Sequence, residues 1–372
     1  MENIAALIEQ CGLGTITGEI SPVSGGLMHK MYKVQTTTGT YAVKCLNPEI
    51  MSRPDAMKNY AEAERLERIL EDNGIPVVAA ISFDGKKMLS VNGRYYYIFP
   101  WIEGKITDFD NISSAQCLKA GEILGRIHGI DARQVESEDV DSEKGLSKSE
   151  GSENVLSKSE DPENAKSEYA ERGNVGLEII EKPDLSSVDF YKYLRIAKDK
   201  NSKIALILEE NISLLENAQN KLNEARNNLP QMRAISNDDM DPKNIMWHES
   251  DAYVIDLECL GYSNPISSSL NLALQWAGTV NGKFCKDNLE AFFQGYLKSY
   301  DNGFRSYDRL FGIAYTWIEW LDYNIKRALG LVSLDAEEIG LGEAETVNTI
   351  NRIKYLATIE DEICQVLRNV GK

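Results

Sequence analysis

Three polar side chains in the second half of the chain have the types and spacing suited to phosphoryl transfer. Asp239 and Asn244 lie in the segment 237–244, and Asp256 interrupts the apolar run 253–257. Transfer of a γ-phosphoryl group needs a carboxylate that orients the acceptor hydroxyl, and an amide and a second carboxylate that hold Mg²⁺ against the nucleotide. The sequence therefore predicts Asp239 as the catalytic residue and Asn244 and Asp256 as the metal ligands.

The elements around these residues should bring them into one cleft. A turn containing Asp, Pro and Asn can direct Asp239 and Asn244 to the same side before a short strand begins at residues 245–247. Residues 253–257 would form the returning strand of a hairpin, with Asp256 at its end. An Asp in an apolar strand is costly to bury unless it is paired or bound to a metal. A solvated acidic loop would explain any one of these residues but not the whole set.

The same residues carry a family resemblance. They resemble the signature of the aminoglycoside phosphotransferase and choline kinase family, which is His-x-Asp-x-x-x-x-Asn followed by an Ile-Asp-x-Glu strand. Here the motif is Asn237-x-Asp239-x-x-x-x-Asn244, followed by Ile255-Asp256-Leu257-Glu258. Asn237 replaces the family's leading His, which mainly supports the catalytic loop in related kinases.

The resemblance implies an α+β, bilobal protein-kinase-like fold. We expect a small antiparallel sheet with one helix in an N-terminal nucleotide-binding lobe, residues 1–98, and a hinge at residues 99–104. A larger, mainly helical lobe with catalytic and substrate-binding residues would follow at 105–372. The expected cofactors are ATP or GTP and Mg²⁺.

Residues 20–27 and 31–34 predict two strands joined by a glycine turn. The backbone amides of Ser24, Gly25 and Gly26 could approach phosphate groups there. Paired glycines also fit an ordinary hairpin, so this turn is weak evidence by itself.

Lys44 is predicted to contact the α- and β-phosphates. It lies among apolar neighbours in the strand-like segment 40–46, like the lysine of the Val-Ala-Ile-Lys strand of protein kinases. The helix predicted at residues 57–72 carries several glutamates, and the family pattern favours Glu64 as the partner that orients Lys44. Most helical glutamates are simply solvated, and this remains the alternative for Glu64.

Further site residues come from the resemblance alone. Phe99, Trp101 and Ile102 fall where the family's hinge contacts the nucleotide base, although an aromatic run of this density also fits a core strand. Lower-ranked candidates near the substrate or metal are Asp241, Glu258, Glu319 and Asp322. By contrast, His128 has no ligand-type neighbours at metal spacing, so we expect a packed structural histidine.

An acidic, low-complexity insertion is predicted at residues 134–174. Residues 134–172 contain twelve Asp or Glu and five Lys or Arg, and residues 145–154 and 155–164 are identical at seven of ten positions. Such a segment buries too little apolar surface to fold alone. We interpret it as a duplicated, solvated surface insertion rather than a solenoid.

Composition narrows the class of protein. The net charge of -18 argues against nucleic acid or an anionic membrane as a partner, and favours a small, cationic acceptor without identifying one. The six scattered cysteines fit reduced thiols. Since the chain has no long apolar run and starts without a basic signal region, we expect a cytoplasmic monomer or weak homodimer. The sequence names no protein partner.

Besides a small-molecule kinase, two other functions remain open from the sequence. Asn237 and the charged insertion are compatible with a nucleotide-binding pseudokinase that acts as an interaction module. A protein kinase acting on Ser or Thr ranks lowest, because the chain has neither Asp-Phe-Gly nor Ala-Pro-Glu.

Overall fold

Apolar residues that alternate along the first hundred positions form a five-stranded antiparallel sheet, with strand order β1-β2-β3-β5-β4. The computed structural model describes residues 2–23, 29–131 and 187–372. The elements of the sheet region are α1 (Glu2–Gln10), β1 (Ser21–Val23), β2 (Lys30–Gln35), β3 (Thr40–Cys45), α2 (Pro48–Met51), α3 (Ala56–Asp72), β4 (Leu89–Val91) and β5 (Arg94–Pro100).

The two faces of this sheet have different partners. Val34, Val43 and Ile98 share one buried cluster with the apolar side of α1. On the other face, Tyr97 packs with Tyr60 of α3. Because side chains alternate along a strand, Lys44 points to the side opposite Val43, toward α3.

The hairpin between β4 and β5 has a clear local cause. Asn92 and Gly93 both have positive φ, at 51° and 72°, and Val91 pairs directly with Arg94. An Asn-Gly pair is the preferred sequence for a two-residue turn that requires positive φ at both positions. This turn fixes the register of β5 and hence of the segment that follows it.

The rest of the described chain is mostly helical. Its remaining strands are β6 (Lys105–Ile106), β7 (Ala234–Asn237), β8 (Ile245–His248), β9 (Asp251–Val254) and β10 (Leu260–Ser263). Its helices are α4 (Ser114–His128), α5 (Phe190–Asp199), α6 (Ala205–Asn227), α7 (Pro265–Trp276), α8 (Lys286–Ser299), α9 (Trp317–Ala328), α10 (Ala336–Thr358) and α11 (Glu360–Leu367).

Helices α4 and α8 pack with their backbones in close contact. A Cβ at Gly121 would lie 2.0 Å from the carbonyl oxygen of Phe292, and one at Gly295 would lie 2.0 Å from that of Leu118. Only glycine leaves room for this approach. The pair forms a rigid support under β7, which α4 also contacts.

Short strands carry the segment with the predicted chemistry. β7 pairs with β10, and β8 lies between β6 and β9 in a three-stranded sheet. Val254 also exchanges backbone hydrogen bonds with Pro76 and Val78. This contact ties the β8–β9 hairpin to the sheet region.

The structure confirms the expected fold and corrects one element boundary. β9 ends at Val254 rather than Leu257, because Ile255 N–H donates to Asn244 and Asp256 turns into a left-handed conformation. After β10, α7 begins at Pro265. Asn264 caps it through the amides of Ile266 and Ser267, and proline is well tolerated in the first turn of a helix.

Several predictions concern residues outside the described part. The predicted glycine turn with Ser24, Gly25 and Gly26 lies there, as does the whole of the predicted insertion at 134–174. All six cysteines are free thiols. Within residues 2–23, 29–131 and 187–372 we find no helix with the length and apolar character needed to span a bilayer.

Candidate active site

The predicted catalytic loop leaves β7 through a buried asparagine. The Asn237 side chain accepts a hydrogen bond from the Asp239 amide at 3.2 Å and donates to the Asp256 carbonyl at 3.4 Å. Asn237 is completely buried. The Asn237 side chain therefore links the backbone of Asp239 to the backbone of Asp256.

Asn244 positions the Asp239 carboxylate. Its amide nitrogen donates to the Asp239 side chain at 2.8 Å and to the Asp239 carbonyl at 2.7 Å. The short 3-10 helix Pro242–Asn244 holds Asn244 in place, capped by Asp241, whose carboxylate accepts from the Lys243 amide at 3.0 Å. Because the amide nitrogen is used on Asp239, the amide oxygen is the atom that Asn244 would offer to a cation.

Asp239 is only partly exposed and has a shifted pKa. Burial raises the pKa of Asp239 to about 6, with further upward contributions from Asp241 and Asp256, while Lys243 and Asn244 act in the opposite direction. Asp239 is therefore mostly ionised at neutral pH and becomes protonated in mild acid. A carboxylate with such a pKa is well matched to accepting a proton near neutrality.

Asp256 is held in a strained conformation. Its φ of 58° and ψ of 71° lie in the left-handed region, which costs a non-glycine residue on the order of 1–2 kcal/mol. The strain turns the carboxylate away from the strand, and Oδ1 lies 2.9 Å from Lys44 Nζ. Backbone strain of this kind clusters at functional sites.

Lys44 is buried, and two carboxylates balance its positive charge. Its ammonium lies 2.9 Å from Asp256 and 2.8 Å from Glu258 Oε1. Burial acts to lower the pKa of Lys44, but the two carboxylates outweigh it and the pKa lies above its usual value. Lys44 is therefore charged and directed into the cleft.

The prediction that Glu64 pairs with Lys44 is wrong in this structure. Glu64 accepts a hydrogen bond from the Tyr97 hydroxyl at 2.8 Å, and in the described residues we find no ion pair between it and Lys44. Glu258 takes that place, although its rank in the sequence analysis was low. Asp256, in its left-handed conformation, precedes the 3-10 turn Leu257–Cys259, which contains Glu258. This turn brings the Glu258 carboxylate next to Lys44 of β3.

His29 completes this charged cluster. Its Nε2 lies 3.0 Å from Glu258 Oε2, while its Nδ1 accepts from the Asn47 amide at 3.0 Å. Acceptance at Nδ1 places the proton on Nε2, which then donates to Glu258. Burial acts to raise the pKa of Glu258, but His29 and Lys44 outweigh it and lower the pKa.

An apolar cavity of about 210 Å³ lies on the sheet side of the cluster. The three predicted hinge residues Phe99, Trp101 and Ile102 line it, together with Ala42 and Met246. Trp101 is fixed by its indole N–H, which donates to Glu103 at 2.7 Å, and by Lys33, whose ammonium lies 4.1 Å from the ring centroid. The cavity is suited to a flat, largely apolar group such as a nucleotide base.

An acidic cavity of about 620 Å³ lies on the helical side. α7 contributes Asn271 and Gln275 to it, while Trp317 and Trp320 come from α9. The carboxylates on its wall are Asp239, Asp241, Asp256 and Glu319. This combination of acids and indole rings suits a ligand with a cationic group.

The lower-ranked candidates on α9 occupy different positions. Glu319 lines the acidic cavity and is paired with Arg226 at 2.6 Å. Asp322 is instead bonded to the Tyr193 hydroxyl at 2.7 Å and to Lys326 on its own helix, and it is not among the described residues that line the cavity. Its role as an acceptor contact stays a prediction, while α9 directs this side chain toward α5.

The two cavities meet at a junction that both share. The residues that line both are His29, Lys44, Lys243, Asn244 and Asp256. Asp239 belongs to the acidic cavity alone. A group bound in the apolar cavity and extending past the junction would therefore reach Asp239.

A buried polar network supports the loop from below. His128 bonds to the Tyr296 hydroxyl at 2.9 Å and to Ser236 Oγ at 3.1 Å, and Ser236 in turn donates to Asp238. Burial lowers the pKa of His128 to about 3, so the ring is neutral. The prediction that His128 is a packed structural histidine is confirmed.

Sequence reasoning missed His29, Lys243 and the two indole rings of the acidic cavity. Lys243 lies inside the motif itself, but the pattern treats its position as variable. Trp317 and Trp320 are recognisable only as part of a helix until the fold places them beside Asp239. The sequence carries no signal for His29, because its contacts come from α3 and from the turn after Asp256.

The donor set fits a divalent cation of the magnesium type. Asn244 and Asp256 would offer one amide oxygen and one carboxylate, which are hard oxygen ligands. Mg²⁺ commonly takes few protein ligands and completes its shell with water and substrate phosphates. A two-residue site beside the junction is therefore sufficient.

Comparison with known proteins gives the family. The model of the phosphotransferase enzyme family matches residues 19–310, which is well over half of the chain. The chain belongs to this family.

Curated proteins are similar to this chain over shorter stretches. Stress response kinase A of Escherichia coli K12 is 27% identical over 95 residues, which is 26% of this chain and 27% of that protein. A serine/threonine protein kinase of Salmonella typhimurium is 32% identical over 88 residues, or 24% and 25% of the two chains. The match therefore covers only about a quarter of these curated relatives.

Solved structures share the fold over almost the whole length. A spectinomycin phosphotransferase in complex with ADP and spectinomycin has a TM-score of 0.63 at 12% identity, covering 96% of this chain and 98% of that one. A Plasmodium vivax ethanolamine kinase has a TM-score of 0.53 at 15% identity, covering 89% and 81%. At these identities the likeness establishes the protein-kinase-like fold.

Proposed function

We propose that the protein transfers the γ-phosphoryl group of a Mg²⁺-bound nucleoside triphosphate, ATP or GTP, to the hydroxyl of a small cationic acceptor. The observation that carries this proposal is the junction, where an apolar cavity and an acidic cavity meet between Lys44 and Asp239. The base would lie against Phe99, Trp101 and Ile102, and the acceptor in the acidic cavity.

Each residue then has a distinct task. Asp239 accepts the hydrogen bond of the acceptor hydroxyl, with Asn244 fixing the orientation of its carboxylate. Lys44 balances phosphate charge, and Glu258 and His29 keep its ammonium in place. When bound at Asn244 and Asp256, Mg²⁺ would offset negative charge on the phosphate oxygens. Asp241 supports the loop by capping its 3-10 turn.

The glycine turn with Ser24, Gly25 and Gly26 would cover the phosphates. This part of the proposal rests on the sequence and the family resemblance, since those residues lie outside the described part. Val23 and His29, which flank the turn, both line the apolar cavity, and this supports the assignment.

Asn237 is compatible with activity. A histidine at this position supports the catalytic loop in the family, and the Asn237 amide here connects the loop at Asp239 to the Asp256 backbone. The substitution therefore removes no group that touches substrate. This argues for an active enzyme and against the pseudokinase interpretation.

The acidic cavity supports an acceptor with a positive charge. Four carboxylates and two lysines line it, and the two indole rings can contact a cation through their faces. The ethanolamine kinase of similar fold, named for an amino alcohol, is consistent with this class. Amino alcohols and aminoglycosides are thus the first acceptors to test.

A second candidate acceptor is a serine or threonine side chain. It is favoured by the Salmonella relative that is named as a serine/threonine protein kinase. The same Asp239 chemistry would serve it, but the acceptor would have to enter the acidic cavity as part of a peptide.

A coupled nucleotide-turnover assay tests the proposal. ATP and GTP would be compared with Mg²⁺ against amino alcohols, aminoglycosides, sugars and a Ser/Thr peptide, with Asp239→Ala as the control. We expect acceptor-dependent turnover that Asp239→Ala abolishes while nucleotide binding persists. Turnover retained in Asp239→Ala would refute the assignment of this residue, and nucleotide binding without turnover on any acceptor would indicate a pseudokinase.

A further inference from the structure

Lys243 is the part of the junction that the motif leaves unassigned. Its side chain comes from the 3-10 turn that ends at Asn244, and it lines both the apolar and the acidic cavity. Its ammonium lies 3.1 Å from Asp241 Oδ2 and 3.9 Å from Asp239 Oδ1. Of the two lysines at the junction, it is the one on the catalytic loop.

The two lysines face the junction from different parts of the fold. Lys44 is held by Asp256 and Glu258, with only 6% of its side chain exposed. Lys243 has 43% of its side chain exposed, so its ammonium can approach a ligand without leaving a closed ion-pair cluster. Both lysines line both cavities, so a group that spans the junction lies beside both charges.

The chemistry of the proposed reaction requires positive charge at that point. The bond from the γ-phosphorus to the bridging oxygen breaks, and the nucleoside diphosphate leaves with the electron pair. A new bond forms to the acceptor oxygen, whose proton passes to Asp239. During transfer the charge is spread over the three equatorial oxygens of the phosphoryl group, and a preorganised cation beside them stabilises that state.

We propose that Lys243 is a catalytic residue that contacts the phosphoryl group during its transfer. This inference rests on the proposed function and adds a residue to it. In the resting state Asp241 keeps the ammonium beside Asp239, and the ammonium moves from Asp241 toward the phosphoryl oxygens as they arrive.

The direct test uses a transition-state mimic and needs no acceptor. ADP binding would be measured with Mg²⁺, with and without aluminium fluoride, for the wild type, Lys243→Met and Lys243→Arg. Lys283→Met, which removes an exposed lysine paired with Asp110, is the matched control. We expect aluminium fluoride to tighten ADP binding by about tenfold or more in the wild type and in Lys283→Met. Lys243→Met should lose most of that gain while its affinity for ADP alone changes less than about threefold, and Lys243→Arg should retain part of it.

The outcomes separate the two proposals. If wild type and Lys243→Met gain equally from aluminium fluoride, the role of Lys243 is refuted and the proposed function stands. If the wild type binds no ADP, or gains nothing from aluminium fluoride, the proposed function fails and the inference with it.

Steady-state kinetics distinguish contact with the phosphoryl group from mere support of the fold. Lys243→Met should lower kcat while the KM for the nucleotide changes less than about threefold, because the contact forms during transfer. Lys243→Arg should restore part of kcat, and Lys283→Met should leave both constants in place. An unchanged kcat in Lys243→Met would refute the inference.

Discussion

At the scale of residues, the site is organised by the pairing of buried charges. Lys44 is held by Asp256 and Glu258, and Glu258 is held in turn by His29. A buried ammonium without partners would be costly, and each carboxylate here offsets part of that cost. Asp256 also has a strained backbone conformation. Its contact with Lys44 comes from a distant part of the sequence, so the geometry of the junction depends on long-range contacts.

Replacement of Glu258 should therefore be more damaging than replacement of Glu64. Glu258→Gln removes a charge-assisted contact to Lys44, which is worth about 1.5–3 kcal/mol, so kcat/KM for the nucleotide should fall by at least about tenfold. Glu64→Gln keeps an acceptor for the Tyr97 hydroxyl and should change kcat/KM by less than about threefold. Steady-state kinetics at varied nucleotide concentration measure both.

Thermal unfolding of the same two variants controls for a general loss of stability. A larger loss of kcat/KM in Glu64→Gln would contradict the role of Glu258 in the nucleotide-bound enzyme. It would mean that Lys44 exchanges Glu258 for Glu64 when nucleotide binds.

At the scale of elements, the catalytic loop depends on a rigid base. α4 and α8 meet through glycines, and α4 delivers His128 to the network beneath β7. The capping box at Ser113 and Gln116 fixes where α4 starts. The loop itself is short, so small shifts of α4 would reach Asp239 through Ser236 and Asp238.

Gly121→Ala tests this packing. The added Cβ would lie 2.0 Å from the Phe292 carbonyl oxygen, so the helices must separate. Overpacking of this kind costs about 1–3 kcal/mol, and the urea midpoint should fall accordingly. Gly340→Ala is the matched control at an exposed position of α10, where a Cβ meets nothing within 4 Å. It should raise stability by up to about 1 kcal/mol through helix propensity. Equal midpoints for the two variants would show that α4 and α8 tolerate separation.

At the scale of the whole molecule, the junction joins the sheet region to the helical region. The apolar cavity is lined by β3 and β5 on one side and by the β8 strand and its loop on the other. A ligand that contacts both sides should stabilise the folded state as a unit. The increase in the free energy of unfolding follows from the affinity and the concentration of the ligand.

Mg²⁺ and ADP together should raise the free energy of unfolding. At a concentration of 100 times Kd, the increase should be about 2.7 kcal/mol, measured by urea unfolding. Chelation of Mg²⁺ with EDTA should reduce the effect, because Asn244 and Asp256 would then face the phosphates without a bridging cation. No increase in the presence of Mg²⁺ and ADP would contradict nucleotide binding at this site.

The sequence alone determined the fold and the central set of the site. Asp239, Asn244 and Asp256 lie close along the chain, so a turn and a hairpin suffice to bring them together, and their spacing carries the information. The alternation of apolar residues over residues 40–46 likewise predicted that Lys44 lies on a strand. The roles of these residues stay predictions until turnover is measured.

Only the tertiary structure decided how those residues are partnered. Lys44 and Asp256 are 212 positions apart, and no local pattern specifies such a pair. The choice of Glu258 over Glu64, the turning of Asp322 toward α5 and the place of Lys243 at the junction all depend on helices and strands packed from distant parts of the chain. Local sequence sets backbone conformation over a few residues, whereas the pairing of buried charges is set by which surfaces the completed fold brings into contact.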